Sequence, residues 1–173
     1  MMWTLCNHGV QGRGCMVKVL ICYYSRSGNT KKMAYLIQKG AMEAGADVDT
    51  KNVKDVKVDD LKGYDAIIMG SPTYYGLMAA PIKDLLDRSI KLHGKLQDKV
   101  GGAFSSSANV GGGNETTVIA ILEALLIHGM VVCGDHRGDH YGPVSIEAPN
   151  KRVEKNCIMY GKRVAKLAEK LHS

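Results

Sequence analysis

No two of the five cysteines (Cys6, Cys15, Cys22, Cys133, Cys157) form a Cys-x-x-Cys pair. Their odd number and wide spacing argue against a zinc ribbon, a secreted disulfide framework and a cysteine-held iron–sulfur cluster. No stretch approaches the roughly 18 uninterrupted apolar residues of a membrane span. The first fifteen residues, MMWTLCNHGVQGRGC, have neither the apolar core nor the small-residue cleavage site of a signal peptide. These absences read as a cytoplasmic, reduced protein. Two phosphate motifs are also missing. GxxxxGK[ST] does not occur, and the glycines Gly9, Gly12 and Gly14 precede the first strand instead of following it. ATP sites and Rossmann dinucleotide sites are therefore disfavoured.

What remains is ordinary for a globular chain: 173 residues, 45% hydrophobic and 23% charged. That length fits one domain, residues 16–173, preceded by an expected disordered extension over residues 1–15. The formal charge of +6 raises nucleic acid, an anionic membrane surface or an anionic small molecule as partners. Its distribution removes the first. Residues 16–150 carry fifteen basic and fifteen acidic side chains, and the excess sits after Asn150, where seven basic residues face two acidic ones. An apolar stripe through Val153, Cys157, Tyr160, Val164, Ala168 and Leu171 makes that segment a packed helix with a solvated basic face.

Val17–Tyr24 (VKVLICYY) is a continuous apolar run, the pattern of a strand covered on both faces. Ser25–Thr30 follows as turn and cap residues, then a helix with a stripe through Met33, Leu36, Ile37, Gly40, Ala41 and Ala44, stopped by Gly45. Ala46–Val53 alternates like an edge strand. The unit repeats: strand Tyr64–Gly70, loop Ser71–Gly76, a helix through Ile82, Leu85, Leu86 and Ile90; strand Val100–Ser106, loop Ser107–Asn114, helix Glu115–His128. A short last strand, Met130–Cys133, a Gly/His loop and the basic helix from Lys151 complete the chain. Alternation of this kind predicts an α/β flavodoxin-like three-layer sandwich, with a parallel sheet of about five strands in the order 2-1-3-4-5.

Ligands of such sheets sit beyond the carboxyl ends of the strands, where three loops gather. In the first, backbone amides, the helix dipole and Ser25, Ser27, Asn29 and Thr30 suit one phosphate monoester without lysine or magnesium. In the second, Tyr74 and Tyr75, between Pro72 and Gly76, suit stacking against a flat ring, although such a pair alone is as readily packing. The third, SSSANVGGG, lets backbone approach a ligand closely. Asp135–His140 contains two histidines four apart, but its glycines make it a loop, and no metal is assigned there.

The residues Ser25, Arg26, Ser27, Gly28, Asn29 and Thr30 after VKVLICYY resemble the phosphate loop of flavodoxin-like proteins. DAIIMGSPTYYG, KVGGAFSSS, GGGNETT and LIHGMVV are similar to the flavodoxin-like NAD(P)H:quinone oxidoreductases of the Trp-repressor-binding-protein type. The resemblance implies non-covalent FMN, with its phosphate on Ser25–Thr30. It places the isoalloxazine between Pro72, Thr73, Tyr74, Tyr75 and Gly76 on one side and Ser105, Ser106, Ser107, Asn109, Gly111 and Gly112 on the other. It further implies NADH or NADPH as co-substrate, two-electron (hydride) transfer to a quinone in a ping-pong cycle, and a homo-oligomer, dimer or tetramer. The flavin carries the chemistry; His128, His140 and Tyr141 are candidate substrate contacts. An electron-carrier flavodoxin is the alternative.

Three departures from the family pattern stand out: the first removes a histidine expected near the flavin, and the other two bear on substrate range and tetramer contacts. Ile127-His128-Gly129-Met130 stands where the family reads His-His-Gly-Met. The segment between the second and third strands is short, and no tryptophan occurs in Ile90–Gly94.

Overall fold

The computed structural model describes residues 16–172; the expected extension, with Trp3, lies outside the described residues. Its first strand, β1 (Lys18–Tyr23), shows why the opening run is continuously apolar. Val19, Ile21 and Tyr23 enter one core layer, while Leu20 and Cys22 enter the other, so both faces of the strand are buried. Helix α1 (Asn29–Glu43) follows, then β2 (Asp47–Asn52) and two short 3-10 turns. Next come β3 (Ala66–Tyr74), the two-residue β4 (Leu77–Met78) and α2 (Ala80–Arg88). The remainder is β5 (Val100–Ser107), α3 (Asn114–Ile127), β6 (Val131–Val132), β7 (Val144–Ile146) and α4 (Lys151–His172).

The parallel ladder runs β2-β1-β3-β5-β6, the expected 2-1-3-4-5 order of a flavodoxin-like fold. Helices α1 and α4 cover one face around Ile21, Ile68 and Phe104. Helices α2 and α3 cover the other around Leu20, Ile67 and Met69. The α1–α4 crossing is close enough to require glycine on both helices. A Cβ on Gly161 would lie 2.0 Å from the Ile37 carbonyl oxygen, and one on Gly40 would lie 1.9 Å from that of Ile158.

Two parts of the sheet differ from the sequence expectation. Ser71–Gly76 is only in part a loop: β3 continues to Tyr74, pairing Ser71 with Ser105 and Pro72 with Ser106, then turns back into antiparallel β4. Polar and turn-forming side chains masked this extension. The last strand is broken in two. β6 pairs with Val100 and Gly101, the chain leaves the sheet over residues 133–143, and β7 rejoins it opposite Ser105–Ser107. In the gap, the Ala103 amide donates to the Tyr160 hydroxyl at 3.0 Å. A side chain on helix α4 thus takes the place of the missing strand, and the stripe residue Tyr160 is more than apolar filling. Tyr160→Phe keeps the ring and strands a buried amide, so it should cost about 1–3 kcal/mol in a urea denaturation series.

Candidate functional site

The first loop leaves β1 and reverses at Gly28, whose φ of 95° lies in the left-handed region. The Gly28 amide donates to Ser25 Oγ at 3.1 Å, which fixes the turn. The first regular helical bond is Lys32 N–H to the Gly28 carbonyl, so the amides of Asn29, Thr30 and Lys31 have no partner among the described residues. No side chain caps α1, and no acidic residue stands in its first turn. Such a helix end is usually closed by Ser, Thr, Asp or Asn, or flanked by carboxylates. Here three amides and a partial positive charge are presented between the exposed side chains of Arg26 and Ser27, an arrangement suited to an anion with several oxygens.

Hydroxyl groups join the loops. Thr30 Oγ1 and Ser106 Oγ are 2.9 Å apart and buried, linking the first loop to β5. Thr73 Oγ1 lies 3.0 Å from Ser105 Oγ and accepts from Thr117 Oγ1 at 3.0 Å, linking the hairpin to β5 and α3. Thr116 Oγ1 donates to the Gly76 carbonyl at 2.9 Å. Thr116 and Thr117 were not among the expected site residues, although the quoted segment GGGNETT contains them; hydroxyls one helical turn inside α3 gave no separate signal.

The hairpin turn is Tyr75-Gly76, with positive φ at both residues (51° and 79°), the backbone that a two-residue connection between twisted strands demands. It holds Tyr75 fully exposed beside the half-covered Tyr74. Opposite, Ser107 Oγ accepts from Asn114 Nδ2 at 3.0 Å and donates to the Asn109 carbonyl. A turn then closes from the Gly112 amide to the same carbonyl. Gly111 and Gly113 both have positive φ, and a Cβ on Gly113 would lie 2.8 Å from Gly76 Cα. The turn of the hairpin therefore packs on the end of the third loop, where α3 begins. Beside that contact the amides of residues 108–111 have no partner among the described residues, and Val110 stands exposed.

The residues expected at the cofactor, in Ser25–Thr30, Pro72–Gly76 and Ser105–Gly112, thus share one edge of the sheet. Of the three candidate substrate contacts, His128 does not join them. His128 ends α3 at the opposite edge, about 20 Å away by the rise of that helix. It is buried there, with Nε2 2.7 Å from Ser89 Oγ. Ser89 already donates to the Leu86 carbonyl, so His128 Nε2 carries the proton, and burial holds its pKa below the usual histidine value. His140 Nδ1 lies 2.6 Å from the Asp135 carbonyl and closes a turn inside residues 133–143. Tyr141 is exposed on the same segment. Within Asp135–His140 the carboxylates are held by Arg163 and Arg137 and by Arg152 and Asn156, which ties the loop to α4. Cys22, pushed up to about 12 by burial, is a core thiol.

A three-layer parallel sandwich with an uncapped helix end and two facing loops at its carboxyl edge is a flavodoxin-fold domain. The flavodoxin family model matches residues 21–151, and the chain belongs to that family. It is 34% identical to an NAD(P)H dehydrogenase (quinone) of Archaeoglobus fulgidus, across 90% of this chain and all of the relative. It is 40% identical to one of Sinorhizobium fredii over 69% of this chain and 71% of the relative. Among solved structures, a flavodoxin from the domain Archaea superposes with a TM-score of 0.74 at 32% identity, covering 87% of this chain and 98% of that one. A WrbA-like protein from Agrobacterium tumefaciens gives 0.77 at 27%, covering 90% and 99%. These relationships place the chain among flavodoxin-fold oxidoreductases. The Archaeoglobus alignment spans 190 positions against the 173 residues here, so that relative carries internal segments this chain lacks.

Proposed function

We propose that the chain is an FMN-dependent NAD(P)H:quinone oxidoreductase built as a single flavodoxin-like domain. The observation carrying this reading is the open end of α1: three unpartnered amides with no acidic neighbour, tied through Thr30 and Ser106 to the loop that would line the ring. The amides of Asn29, Thr30 and Lys31, with the hydroxyls of Ser25 and Ser27, would hold the phosphate. Tyr74 and Tyr75 would stack against the ring, and the free amides of residues 108–111 would donate to its polar edge. When bound, the flavin supplies acceptance of a hydride from NADH or NADPH and its return as two electrons to a quinone.

The chain's own contribution is positional. Thr73, Ser105 and Thr117 satisfy one another, so polar groups under the pocket stay desolvated at little cost. Exposed Tyr75, Leu77 and Val110 give the rim an apolar surface suited to a quinone. A single flavin held between these loops would meet donor and acceptor in turn, which calls for ping-pong kinetics. The exposed apolar side chains Ile90, Leu126 and Ile127 at the opposite edge favour a homo-oligomer. Unpaired Cys22, Cys133 and Cys157 suit a reducing cytoplasm.

The purified protein should be yellow, release FMN identifiable by mass, and turn over NAD(P)H with a quinone. A colourless protein that does not take up added FMN would overturn the proposal. The similarity to an archaeal flavodoxin across nearly its whole length supports a second reading, an electron carrier. In a redox titration the carrier requires two separated one-electron steps, and the enzyme a single two-electron step.

A further inference from the structure

The excess positive charge of the C-terminal helix is not spread over a convex solvated face. It converges on a depression of about 530 Å³ between the second half of α4 and the segment that interrupts the last strand. Five cations line it: Arg137 from that segment, and Lys162, Arg163, Lys166 and Lys170 from α4. Lys162, Lys166 and Lys170 recur every four residues, so their Cβ atoms form one row along the helix, about 6 Å apart. Asp135 pairs with Arg163 at 2.7 Å and Arg137 at 3.4 Å, Glu43 pairs with Lys162 at 2.7 Å, and Glu169 stands on the same stretch of α4, so five cations meet three carboxylates. Positive charge remains in excess.

Two further observations distinguish the depression from a solvated helix face. Its floor is apolar, made by the part-buried side chains of Met159, Leu167 and Cys133. Arg163 is fixed at its wall, with Nη1 donating to the Gly134 carbonyl, Nη2 on Asp135 and a side chain only 23% exposed. A guanidinium already ordered by the fold loses little further freedom when an anion arrives. The volume falls within the range of small-molecule sites.

We propose that this depression binds an amphipathic organic anion: an acyl or aryl body on the Met159–Leu167 floor, with its carboxylate or sulfonate among Lys166, Lys170 and Arg163. The site lies on the sheet's free edge beside β6, separate from the three loops at the carboxyl edge, and it does not depend on the flavin reading. Concavity favours a single dissolved molecule over a lipid surface, because a bilayer contacts protruding side chains and cannot enter a depression.

The test titrates dodecanoate, below its micellar concentration, into the protein as purified, followed by calorimetry and by amide chemical shifts. Dodecanoate should bind, shift resonances of α4 and residues 133–137, and weaken with added salt. Lys166→Glu together with Lys170→Glu, both on exposed side chains, should weaken binding about tenfold or more with an unchanged circular dichroism spectrum. On the unaltered protein, dodecyltrimethylammonium, with the same chain and opposite charge, should not compete. Phosphatidylglycerol vesicles should not sediment the protein. Equal binding of the cationic analogue, insensitivity to the charge reversals, shifts confined to other regions, or vesicle binding without binding of the monomer would each overturn the proposal.

Discussion

Asn29→Asp should weaken FMN binding by about 100-fold while leaving the apo-protein as stable as before, or slightly more so. The substitution changes almost nothing but charge. Asn29 is the first residue of α1, and a carboxylate there interacts favourably with the helix dipole, so the empty fold loses nothing. The phosphate monoester would meet a like charge at about 5 Å. Near a protein surface that repulsion is on the order of 3 kcal/mol per pair of charges, or about two decades in affinity. Fluorescence titration of FMN into apo-protein measures the first effect, and thermal unfolding of the same sample measures the second. Equal FMN affinity in the variant and the parent would remove the phosphate from this helix end. The opposed signs matter, because a site residue that merely supported the fold would lower both quantities together.

Gly161→Ala is expected to be, with its counterpart Gly40→Ala across the same crossing, among the most damaging single methyl groups in the helices. The added carbon would sit 2.0 Å from a backbone carbonyl oxygen on α1, and no rotamer change relieves a clash with backbone. The two helices must separate, loosening the layer that contains Ile21, Ile68 and Phe104. Overpacking of this kind costs about 3 kcal/mol or more, visible as a lower urea midpoint or as insoluble protein. Gly63→Ala is the control: nothing lies within 4 Å of the added carbon, and its midpoint should stay near that of the parent. A Gly161→Ala variant as stable as Gly63→Ala would mean that the helices do not cross this closely.

The layering was legible because burial on both faces leaves a signature that survives tertiary context. Strand β1 reads as an unbroken apolar run and β3 opens on one (Ala66–Met69), and the α1 stripe contained the very glycine, Gly40, on which the helix crossing depends. The helix-end anion site was legible for a related reason, since Ser25–Thr30 is local chemistry at a local turn. What could not be read was pairing between distant segments. Ser71–Tyr74 looks like a loop because serine, proline and threonine are turn formers, yet β5 supplies partners 34 residues away for Ser71 and Pro72. The split last strand was equally hidden. Val144–Ile146 is too short to announce itself, and only the Tyr160 hydroxyl, reaching across from α4, makes the gap tolerable. His128 was misplaced because a family motif fixes chain position but not the edge of the sheet to which the helix delivers it.

The interruption of the last strand also governs how the molecule meets its neighbours at high concentration. A parallel sheet ends in two strands whose outer backbone groups are free to recruit another chain. On one side, β2 carries Asp47, Asp49 and Lys51, charges that a pairing strand would have to desolvate. On the other, no stretch longer than three residues stays in register, because residues 133–143 leave the ladder between β6 and β7. One border is guarded by charge and the other is too short to seed intermolecular β-structure, so part of the aggregation resistance comes from the same excursion that shapes the basic depression.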